Sequence, residues 1–388
     1  MSVSMTETVE KRPQLDAAPL IVHVVRQFLP NRGGLEDVVA NLARQTLKRG
    51  YRVRVVTLNS LFTALENKLP AHETIDGIEI VRIPWSGSSR YPLAPQVFRH
   101  IGDADLIHVH AIDFFFDALA WGRFLHRKPM VVTTHGGFFH TKKFLAIKKV
   151  WFRTLTRRSA LAYSRVVCCS ASDLSQFIQI VPDGITIENG ADIGKFANAS
   201  SRTPERRVVT IGRFSVNKRL DLLLDATAAL VKRNPDWRLD IIGAESDLNA
   251  ADLRREITAR SLDTAITLTI SPDNQSIREI IAKASLFASA SEYEGFGLVA
   301  LEAMSAGLQP VLNSNEAYRV LAGRHEEIIL ADFMKPDRAA DAIEEAYRKV
   351  SAEGAALRES LVQAAHAYSW DAVAERYIDL YRSIGIAT

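Results

Sequence analysis

Short apolar runs along this chain alternate with longer stretches in which apolar residues recur every three or four positions. The short, β-branched runs predict buried strands, and the longer pattern is typical of amphipathic helices. Such an alternation favours parallel sheets built from β-α-β units. In the first half we predict helix Gly34–Arg49 and strands Ile21–Arg26, Arg52–Leu58, Ile78–Ile83, Leu106–His110, Met130–Thr134 and Val166–Ser170.

The second half repeats the alternation. Its predicted strands are Arg207–Ile211, Arg238–Ile242, Ala265–Ile270, Leu286–Ala290 and Gln309–Leu312. Its predicted helices are Asp221–Arg233, Asn249–Arg260, Ser276–Ala284 and Leu298–Ala306.

The length of the chain, 388 residues, exceeds what one hydrophobic core usually supports, so we expect two domains. We place an N-terminal domain at residues 20–190 and a C-terminal domain at residues 191–365. Residues 366–388 should form a C-terminal helix that packs back toward the N-terminal domain. Residues 1–19 are polar and lack the apolar segment of a signal peptide, and we expect them to be a disordered tail.

Apolar runs such as Leu20–Val25 are too short to cross a bilayer. The cysteines, Cys168 and Cys169, are adjacent and would point to opposite faces of a strand, which disfavours a disulfide between them. Two buried thiols fit a reducing compartment, so we expect a cytoplasmic protein.

Charge is distributed unevenly. Residues 1–190 carry 24 Lys and Arg against 16 Asp and Glu, whereas residues 191–388 carry 24 against 29. The first half should therefore face something anionic. Its most basic window, residues 140–165, carries eight Lys and Arg and no acid.

Within that window Phe144, Ile147, Trp151 and Leu155 recur at helical spacing. A basic helix with such anchors indicates docking on the anionic inner face of the cell membrane. A nucleic-acid partner and a packing helix with a solvated basic face remain as alternatives. The residues assigned to membrane docking are Lys142, Lys143, Lys148, Lys149, Trp151, Arg153, Arg157 and Arg158.

Two carboxylates, Glu294 and Glu302, stand on either side of a Gly295-Phe296-Gly297 turn that opens an apolar helix at Leu298. Glycines let the backbone approach a ligand, and the helix start offers free N–H groups to an anion. The two carboxylates would repel an anion and should instead accept hydrogen bonds from hydroxyl groups. The combination points to a sugar nucleotide, although glutamates at this spacing also occur on solvated helix faces.

Further polar residues follow predicted strands, where open parallel sheets bind their ligands. Gly33 and Gly34 follow the first strand, His135 follows Met130–Thr134, and Arg213 and Lys218 follow Arg207–Ile211. Together the glycines and the cations predict a phosphate site.

Two other groups could suggest a metal. Asp103 and Asp105 precede a strand and are better explained as a turn. His108 and His110 could bind a metal, but no cysteine or paired acid accompanies them, so we expect packing or proximity to a ligand. We predict no essential metal.

These residues together resemble the retaining, GT-B-fold glycosyltransferases of family four. The motifs, in chain order, are Gly33-Gly34-Leu35-Glu36, Arg49-Gly50-Tyr51, Thr134-His135-Gly136, Glu188-Asn189-Gly190-Ala191-Asp192, Gly212-Arg213 with Lys218, the Glu294/Glu302 block and Ser369-Trp370. The resemblance implies an α/β fold with two Rossmann-like domains whose parallel sheets face an inter-domain cleft.

A narrower resemblance joins the chain to the GDP-mannose:cellobiosyl-diphosphopolyprenol alpha-mannosyltransferases of xanthan and acetan exopolysaccharide assembly. It covers nearly all of residues 20–385 and includes Ile112–Phe116, Thr134–Thr141 and Trp151–Thr156. Two positions depart from the family: Arg219 stands where a glycine is frequent, and Gln309 where an aliphatic residue is usual.

The resemblance implies transfer of mannose from GDP-mannose to a polyprenyl-diphosphate-linked glycan, with retained configuration, and possible contact with other assembly enzymes. Glu294, His135 and Asp113 are the catalytic candidates, on the sugar and on the acceptor hydroxyl. The donor-binding candidates are Gly33, Gly34, Arg213, Lys218, Ile270, Ser271, Gly295, Phe296, Gly297, Leu298 and Glu302. The alternatives left open are another donor such as UDP-glucose with another acceptor, and a non-catalytic membrane scaffold that binds sugar nucleotides.

Overall fold

The computed structural model describes residues 18–31, 33–135 and 150–388, which form two compact units. Unit 1 consists of Met1–Gly190 together with Trp370–Thr388, and unit 2 of Ala191–Ser369. The predicted boundary at residue 365 is therefore four residues early, because residues 366–369 belong to unit 2. The tail expected at residues 1–19 is too long at its end: Ala18 and Pro19 each accept a hydrogen bond from Arg52.

The main sheet of unit 1 has eight strands in the order β12-β11-β10-β9-β1-β2-β6-β5, all parallel except the edge pair β5 and β6. The strands are β1 (Leu20–Val24), β2 (Arg52–Leu58), β5 (His72–Ile75), β6 (Ile78–Ile83), β9 (Leu106–His110), β10 (Met130–Thr133), β11 (Arg165–Cys168) and β12 (Ile185–Thr186). Two small hairpins, β3 (Ser60–Leu61) with β4 (Ala64–Lys68) and β7 (Ser86–Ser88) with β8 (Tyr91–Leu93), lie outside it.

Short and long helices connect the strands of this sheet, and all of them except Arg123–His126 bury side chains. They are α1 (Gly34–Lys48), α2 (Phe114–Trp121), α3 (Arg123–His126), α4 (Arg157–Ala160) and α5 (Ala171–Phe177), with a 3₁₀ turn at Pro95–His100 and a π turn at Phe152–Thr156. Side-chain caps start two of them: Asp113 accepts from the N–H of Phe115, and Ser170 from that of Asp173.

The C-terminal helix (Trp370–Ser383) belongs to unit 1. Its Val373, Tyr377, Ile378 and Tyr381 are buried, which is the helical spacing that places one stripe on a core. Arg49, at the end of α1, fastens its first turns through Asp371 at 3.0 Å and Glu375 at 2.9 Å. The Arg49-Gly50-Tyr51 motif thus has a structural function, since Tyr51 also packs beneath this helix.

Unit 2 contains a six-stranded, fully parallel sheet in the order β15-β14-β13-β16-β17-β18. Its strands are β13 (Arg207–Ile211), β14 (Arg238–Gly243), β15 (Ile266–Ile270), β16 (Leu286–Ser289), β17 (Gln309–Asn313) and β18 (Ile329–Ala331). Its helices are α6 (Leu220–Arg233), α7 (Ala250–Ala259), α8 (Asn274–Ile281), α9 (Leu298–Ala306), α10 (Glu316–Ala322), α11 (Pro336–Glu353) and α12 (Ala355–His366), with a 3₁₀ turn at Val216–Lys218.

The strands and helices predicted by range are all present, but several boundaries differ by one to three residues. Of the four apolar anchors predicted for the basic helix, Phe144 and Ile147 lie outside the described residues. The strand predicted from Ile21 to Arg26 is Leu20–Val24, and the helix predicted from Ser276 begins at Asn274 because Asp273 caps it. Within the described residues the antiparallel strands of unit 1, the edge strand β18 and helices such as α2, α10, α11 and α12 were not predicted.

Candidate functional site

The strand order of unit 2 fixes where a ligand can bind. The chain leaves β13 toward β14 on one side and reaches β16 on the other, so the sheet order reverses between β13 and β16. Open α/β sheets bind ligands beyond the carboxyl ends of the strands at such a point. Of the predicted site residues, Arg213 and Lys218 follow β13 and Glu294 follows β16, so these three lie at the reversal.

Lys218 and Glu294 contact each other directly. The Nζ atom of Lys218 is 2.6 Å from Oε1 of Glu294, and both side chains are mostly buried. The hydroxyl of Tyr318, which is itself buried, lies 3.2 Å from the same oxygen and 2.9 Å from Oγ of Ser289. One oxygen of the carboxylate is therefore fixed by two donors.

The serines beneath Glu294 extend this network. Oγ of Ser289 and Oγ of Ser291 are 2.9 Å apart, and the carbonyl of Ser291 accepts hydrogen bonds from the amides of Asn313 and Asn315. Burial, together with the charge of Glu294, raises the pKa of Tyr318 above its ordinary value, so Tyr318 remains a hydrogen-bond donor at neutral pH.

A pocket lies beside these residues, lined in part by Gly212, Arg213, Lys218, Ser289 and Ser291. Arg213 is exposed, and no ion pair of its guanidinium occurs among the residues that the structure describes. The stem of Lys218 lies on Gly212, where an added Cβ would be 3.3 Å from Cε of the lysine. Two cations thus border one pocket, one engaged and one available.

Gly243 allows the strand ends around this pocket to approach each other. A Cβ at Gly243 would lie 1.7 Å from the carbonyl oxygen of Gly212, a distance that no side chain tolerates. Sequence reasoning did not single out this glycine.

The predicted turn opens helix α9. Gly297 caps it with a φ of 84°, in the left-handed region that favours glycine, and a Cβ there would meet Tyr318 at 2.9 Å. Gly295 has open space around its Cα, and Leu298 is partly exposed. The free N–H groups of Gly297 and Leu298 are available to an anion, while Phe296 packs against Tyr368.

Glu302 lies one turn further along α9 and is only partly exposed. Burial raises its pKa above the ordinary glutamate value; Asp192 adds to that rise, and Lys195 opposes it. Ile270 and Ser271 lie at the end of β15, both exposed, and the N–H of Ser271 donates to the carbonyl of Gly243.

Arg219 explains one departure from the family. It adopts the left-handed region, with a φ of 48°, and caps α6. A glycine is the unstrained residue there, so the frequent glycine of the family fits the backbone. The Arg219 side chain bonds Asp221 instead, at 2.9 Å. The other departure, Gln309, is buried and donates to the carbonyl of Glu327.

In unit 1 the sheet order reverses between β1 and β9. Gly33 caps α1 after β1, and Gly34 has open space at its Cα. However, the first turn also carries Glu36 and Asp37, and Glu36 accepts a hydrogen bond from Asn31. These carboxylates oppose an anion at this helix end.

Asp113 follows β9 and is buried. Its Oδ1 caps α2, while its Oδ2 has no hydrogen-bond partner among the described residues. Burial raises the pKa of Asp113 to about 7, although Arg26 and two backbone N–H groups of α2 oppose that rise. One oxygen of Asp113 therefore caps α2, and the other has no partner among the described residues.

His135 follows β10 in the left-handed region, with a φ of 56°. This backbone conformation is costly for histidine and is found where a side chain is held for a function. Nε2 of His135 is 2.9 Å from Nδ1 of His110, and Nε2 of His110 is 2.9 Å from Nδ1 of His23. His108 stacks on His110, with ring centroids 4.2 Å apart.

The geometry can be compared with known proteins. A family model described as "Glycosyltransferase Family 4" matches residues 32–195, and one described as "Glycosyl transferases group 1" matches residues 194–367. A GDP-mannose:cellobiosyl-diphosphopolyprenol alpha-mannosyltransferase of Komagataeibacter xylinus is 43% identical over 94% of this chain and 93% of its own. The protein of that name from Xanthomonas oryzae pv. oryzae is 44% identical over 94% and 97%. The chain is a family 4 glycosyltransferase.

The fold agrees with this assignment. A glycosyltransferase from Rickettsia africae superposes with a TM-score of 0.70, covering 95% of this chain and 99% of its own, at 14% identity. The predicted GT-B fold class and the predicted glycosyltransferase activity are confirmed.

The glycosyltransferase carries basic and apolar side chains on the outside of unit 1. Trp151, Arg153, Arg157 and Arg158 are exposed, as predicted for docking, whereas Phe152 and Thr156 face the core. The other predicted docking residues, Lys142, Lys143, Lys148 and Lys149, lie outside the described residues. No helix among the described residues is both long enough and apolar enough to cross a membrane.

The residues considered for metal binding have other partners. Asp103 pairs with Arg54 at 2.7 Å, and Asp105 accepts from the N–H of Leu20. His23, His108 and His110 have ring nitrogens close enough to share an ion, but both nitrogens of His108 and of His110 already bind protein groups. Both cysteines of the glycosyltransferase are free.

Proposed function

We propose that this glycosyltransferase moves mannose from GDP-mannose to a lipid-diphosphate-linked oligosaccharide of the cellobiosyl-diphosphopolyprenol type, in exopolysaccharide biosynthesis. The observation that carries the proposal is the identity of 43–44% to relatives of that name over 94% of the chain. Since the alignment covers 94% of the chain, the similarity includes unit 1 as well as unit 2.

Arg213 and Lys218 would bind the diphosphate of the donor and stabilise the charge that develops on the leaving group. The N–H groups of Gly297 and Leu298 would add directional donors. Since Lys218 holds Glu294 in the free protein, donor binding would exchange that contact for one with a phosphate oxygen. Exposed Arg213 can meet the diphosphate before the exchange.

The carboxylates would bind hydroxyl groups. Oε1 of Glu294 is held by Tyr318, which leaves Oε2 for the hexose, together with the backbone of Gly295–Gly297. Glu302 would accept from the ribose hydroxyls, and Ile270 and Ser271 would border the base. His135 and Asp113 would act on the sugar and the acceptor hydroxyl.

The reaction would retain the anomeric configuration and use no metal. The bond from C1 of mannose to the diphosphate breaks, and a bond from C1 to the acceptor oxygen forms on the same face. The proton of the acceptor hydroxyl passes to the departing phosphate oxygen. The protein would contribute position and charge, without a covalent intermediate.

Docking on an anionic membrane would present the lipid-linked acceptor. Besides the arginines of the predicted window, unit 1 exposes Phe124 and Leu161, each with a relative accessibility of 72%. Ser159 bonds Asp117 of α2, which places α4 against α2, and Trp121 lies one turn after Asp117. The exposed side chains of Trp121–Leu125 and Trp151–Leu161 therefore form one basic-apolar surface.

Transfer of radiolabelled mannose from GDP-mannose to a synthetic cellobiosyl-diphospholipid tests the proposal, with UDP-glucose as the parallel donor. Labelled lipid from GDP-mannose alone is the expected result. Transfer from UDP-glucose alone would overturn the donor, and tight GDP binding without transfer to this lipid would overturn the acceptor.

Flotation with liposomes tests the docking separately. We expect recovery with phosphatidylglycerol vesicles to exceed recovery with phosphatidylcholine vesicles, and Arg157→Glu/Arg158→Glu to remove the difference. The matched control, Arg254→Glu/Arg255→Glu, changes exposed arginines of unit 2 and should leave flotation unchanged. Equal recovery of the wild-type protein on both vesicles would overturn the docking.

A further inference from the structure

A row of hydrogen-bonded imidazoles leads from the core of unit 1 to His135. His23 and His108 are register partners on β1 and β9, and His110 lies two residues beyond His108, so the three rings share one face of the sheet. His23 and His110 are fully buried. The two contacts, His23 to His110 and His110 to His135, are each 2.9 Å.

All of these rings are neutral at physiological pH. Burial lowers the pKa of His23 and of His135 to about 3, and it lowers that of His110 well below its ordinary value. Each ring therefore carries one proton. Since His110 has a ring neighbour at both nitrogens, it donates through one and accepts through the other, and the two hydrogen bonds must run in the same direction.

The deep end of the row decides between the two directions. Nε2 of His23 is buried and has no partner among the described residues. If the protons ran inward, that nitrogen would carry an N–H group without an acceptor, which folded proteins rarely tolerate. If they run outward, His23, His110 and His135 each carry the proton on Nδ1, and only a lone pair is left without a partner.

We propose that His110 and His23 are positioning residues that hold His135 as a neutral imidazole protonated on Nδ1, so that it offers a hydrogen-bond donor to an oxygen of the transferred sugar. The identity of that ligand rests on the proposed function, whereas the tautomer does not. His135 is then a donor and not the base of the reaction. Its costly backbone conformation is consistent with a ring held in one orientation.

The polar groups near the row include hydroxyls, a thiol and the carboxylate of Asp173. His108 lies between the hydroxyl of Tyr381, at 2.7 Å, and Oγ1 of Thr133, at 2.8 Å. Tyr377 and Cys168 are the next titratable neighbours, and burial raises the pKa of both, that of Cys168 to about 12. Asp173, on α5, accepts a hydrogen bond from Thr134.

Histidine tautomers can be read directly by long-range ¹H–¹⁵N correlation on protein labelled at histidine. We expect His135 to show a protonated Nδ1 and an unprotonated Nε2 at pH 6 and at pH 8. His110→Leu cannot donate to His135 and should release it into a mixture of tautomers, whereas the side-chain amide of His110→Gln can donate in place of the ring. The control is His72→Gln, an exposed position on β5.

Kinetics supply the second readout, with whichever donor the wild-type enzyme uses. We expect kcat of His110→Leu to fall about tenfold, the upper end for one hydrogen bond, with Kd for GDP unchanged and with kcat largely recovered in His110→Gln. A His135 protonated on Nε2 in the wild-type protein would overturn the inference even if the variants fail to fold. So would a folded His110→Leu with full kcat. If the wild-type enzyme does not transfer mannose, the proposed function is overturned, but the tautomer result still stands.

Discussion

Tyr318→Phe isolates the support beneath the proposed sugar-binding carboxylate. The phenol of Tyr318 has a single proton, and the carboxylate of Glu294 can only accept a hydrogen bond. The hydroxyl therefore donates to Oε1 of Glu294, at 3.2 Å. The Ser289 hydroxyl, at 2.9 Å, can donate in turn to the phenolic oxygen. The change removes both contacts and leaves the buried ring in place. Lys218 still holds the same carboxylate oxygen at 2.6 Å.

The size of the effect follows from these contacts. A hydrogen bond to a charged group contributes about 1.5–3 kcal/mol when fully buried. Glu294 retains some exposure and one remaining donor, so we take values around the lower end of that range, about 1–2 kcal/mol. That corresponds to a decrease in kcat/KM of about 5- to 30-fold for the sugar donor, and to a decrease in Tm of about 2–8 °C for a unit of this size.

Two binding measurements sharpen the assay. Calorimetry should show weaker binding of GDP-mannose and unchanged binding of GDP, which lacks the hexose. The matched control is Tyr347→Phe, a tyrosine of unit 2 that packs on Trp237 at the amino end of β14, away from the pocket. A folded Tyr318→Phe with unchanged kcat/KM, or an equal loss of GDP affinity, would refute the assignment of Glu294 to the sugar.

Four further outcomes are expected. Glu302→Gln should remove a pH dependence of GDP affinity. Burial raises the pKa of Glu302, and the ionised carboxylate accepts more strongly from ribose than the protonated group, so wild-type affinity should fall as the pH drops from about 7 to 5; a flat wild-type profile would contradict this. Arg219→Gly removes the strain of a left-handed backbone at a non-glycine residue. Urea unfolding should show a free energy of unfolding higher by about 0.5 kcal/mol, with little change in transfer; a decrease would show that the lost Asp221 contact outweighs the strain. Arg49→Met should lower stability by about 1 kcal/mol and increase hydrogen exchange in the C-terminal helix, whereas Arg382→Met, at an exposed ion pair, should cost less than about 0.5 kcal/mol; equal effects would contradict the fastening by Arg49. Dialysis against EDTA should leave transfer unchanged, and recovery of activity only on adding a divalent ion would contradict a metal-free reaction.

Periodicity predicted the two parallel sheets and their central strands, because strands such as Leu20–Val24 and Leu286–Ser289 are buried on both faces and stand out as mainly apolar runs. It did not predict β4, whose residues Ala64–Lys68 are almost all exposed and polar. The short helix at Glu316–Ala322 was also missed, since seven residues show less than two full turns of a helical pattern.

The candidate site likewise contains residues that could be predicted from the sequence and residues that could not. Residues close together in sequence, such as Gly295 to Leu298, could be recognised from local pattern. Tyr318 could not, because it is 24 positions from Glu294 and contacts it only through the pairing of β16 with β17. Gly243 was missed for a related reason: its function is to admit the carbonyl of Gly212, from a neighbouring strand. Contacts across a sheet are set by register, which single-sequence reasoning does not supply.

The ion pair of Lys218 with Glu294 bears on how a free site remains ready for its donor. Without the pair, a mostly buried ammonium and a mostly buried carboxylate would each lose hydration with no ion-pair partner. With it, both groups are held beside the pocket. Under the proposed assignment, the donor would offer both groups replacements at once, a phosphate oxygen for Lys218 and hydroxyls for Glu294. A nucleoside diphosphate without a sugar offers only the first replacement, and it would leave Glu294 with Tyr318 as its remaining protein donor. The proposed exchange would therefore favour the intact sugar nucleotide over its own product, and this preference would assist product release after transfer.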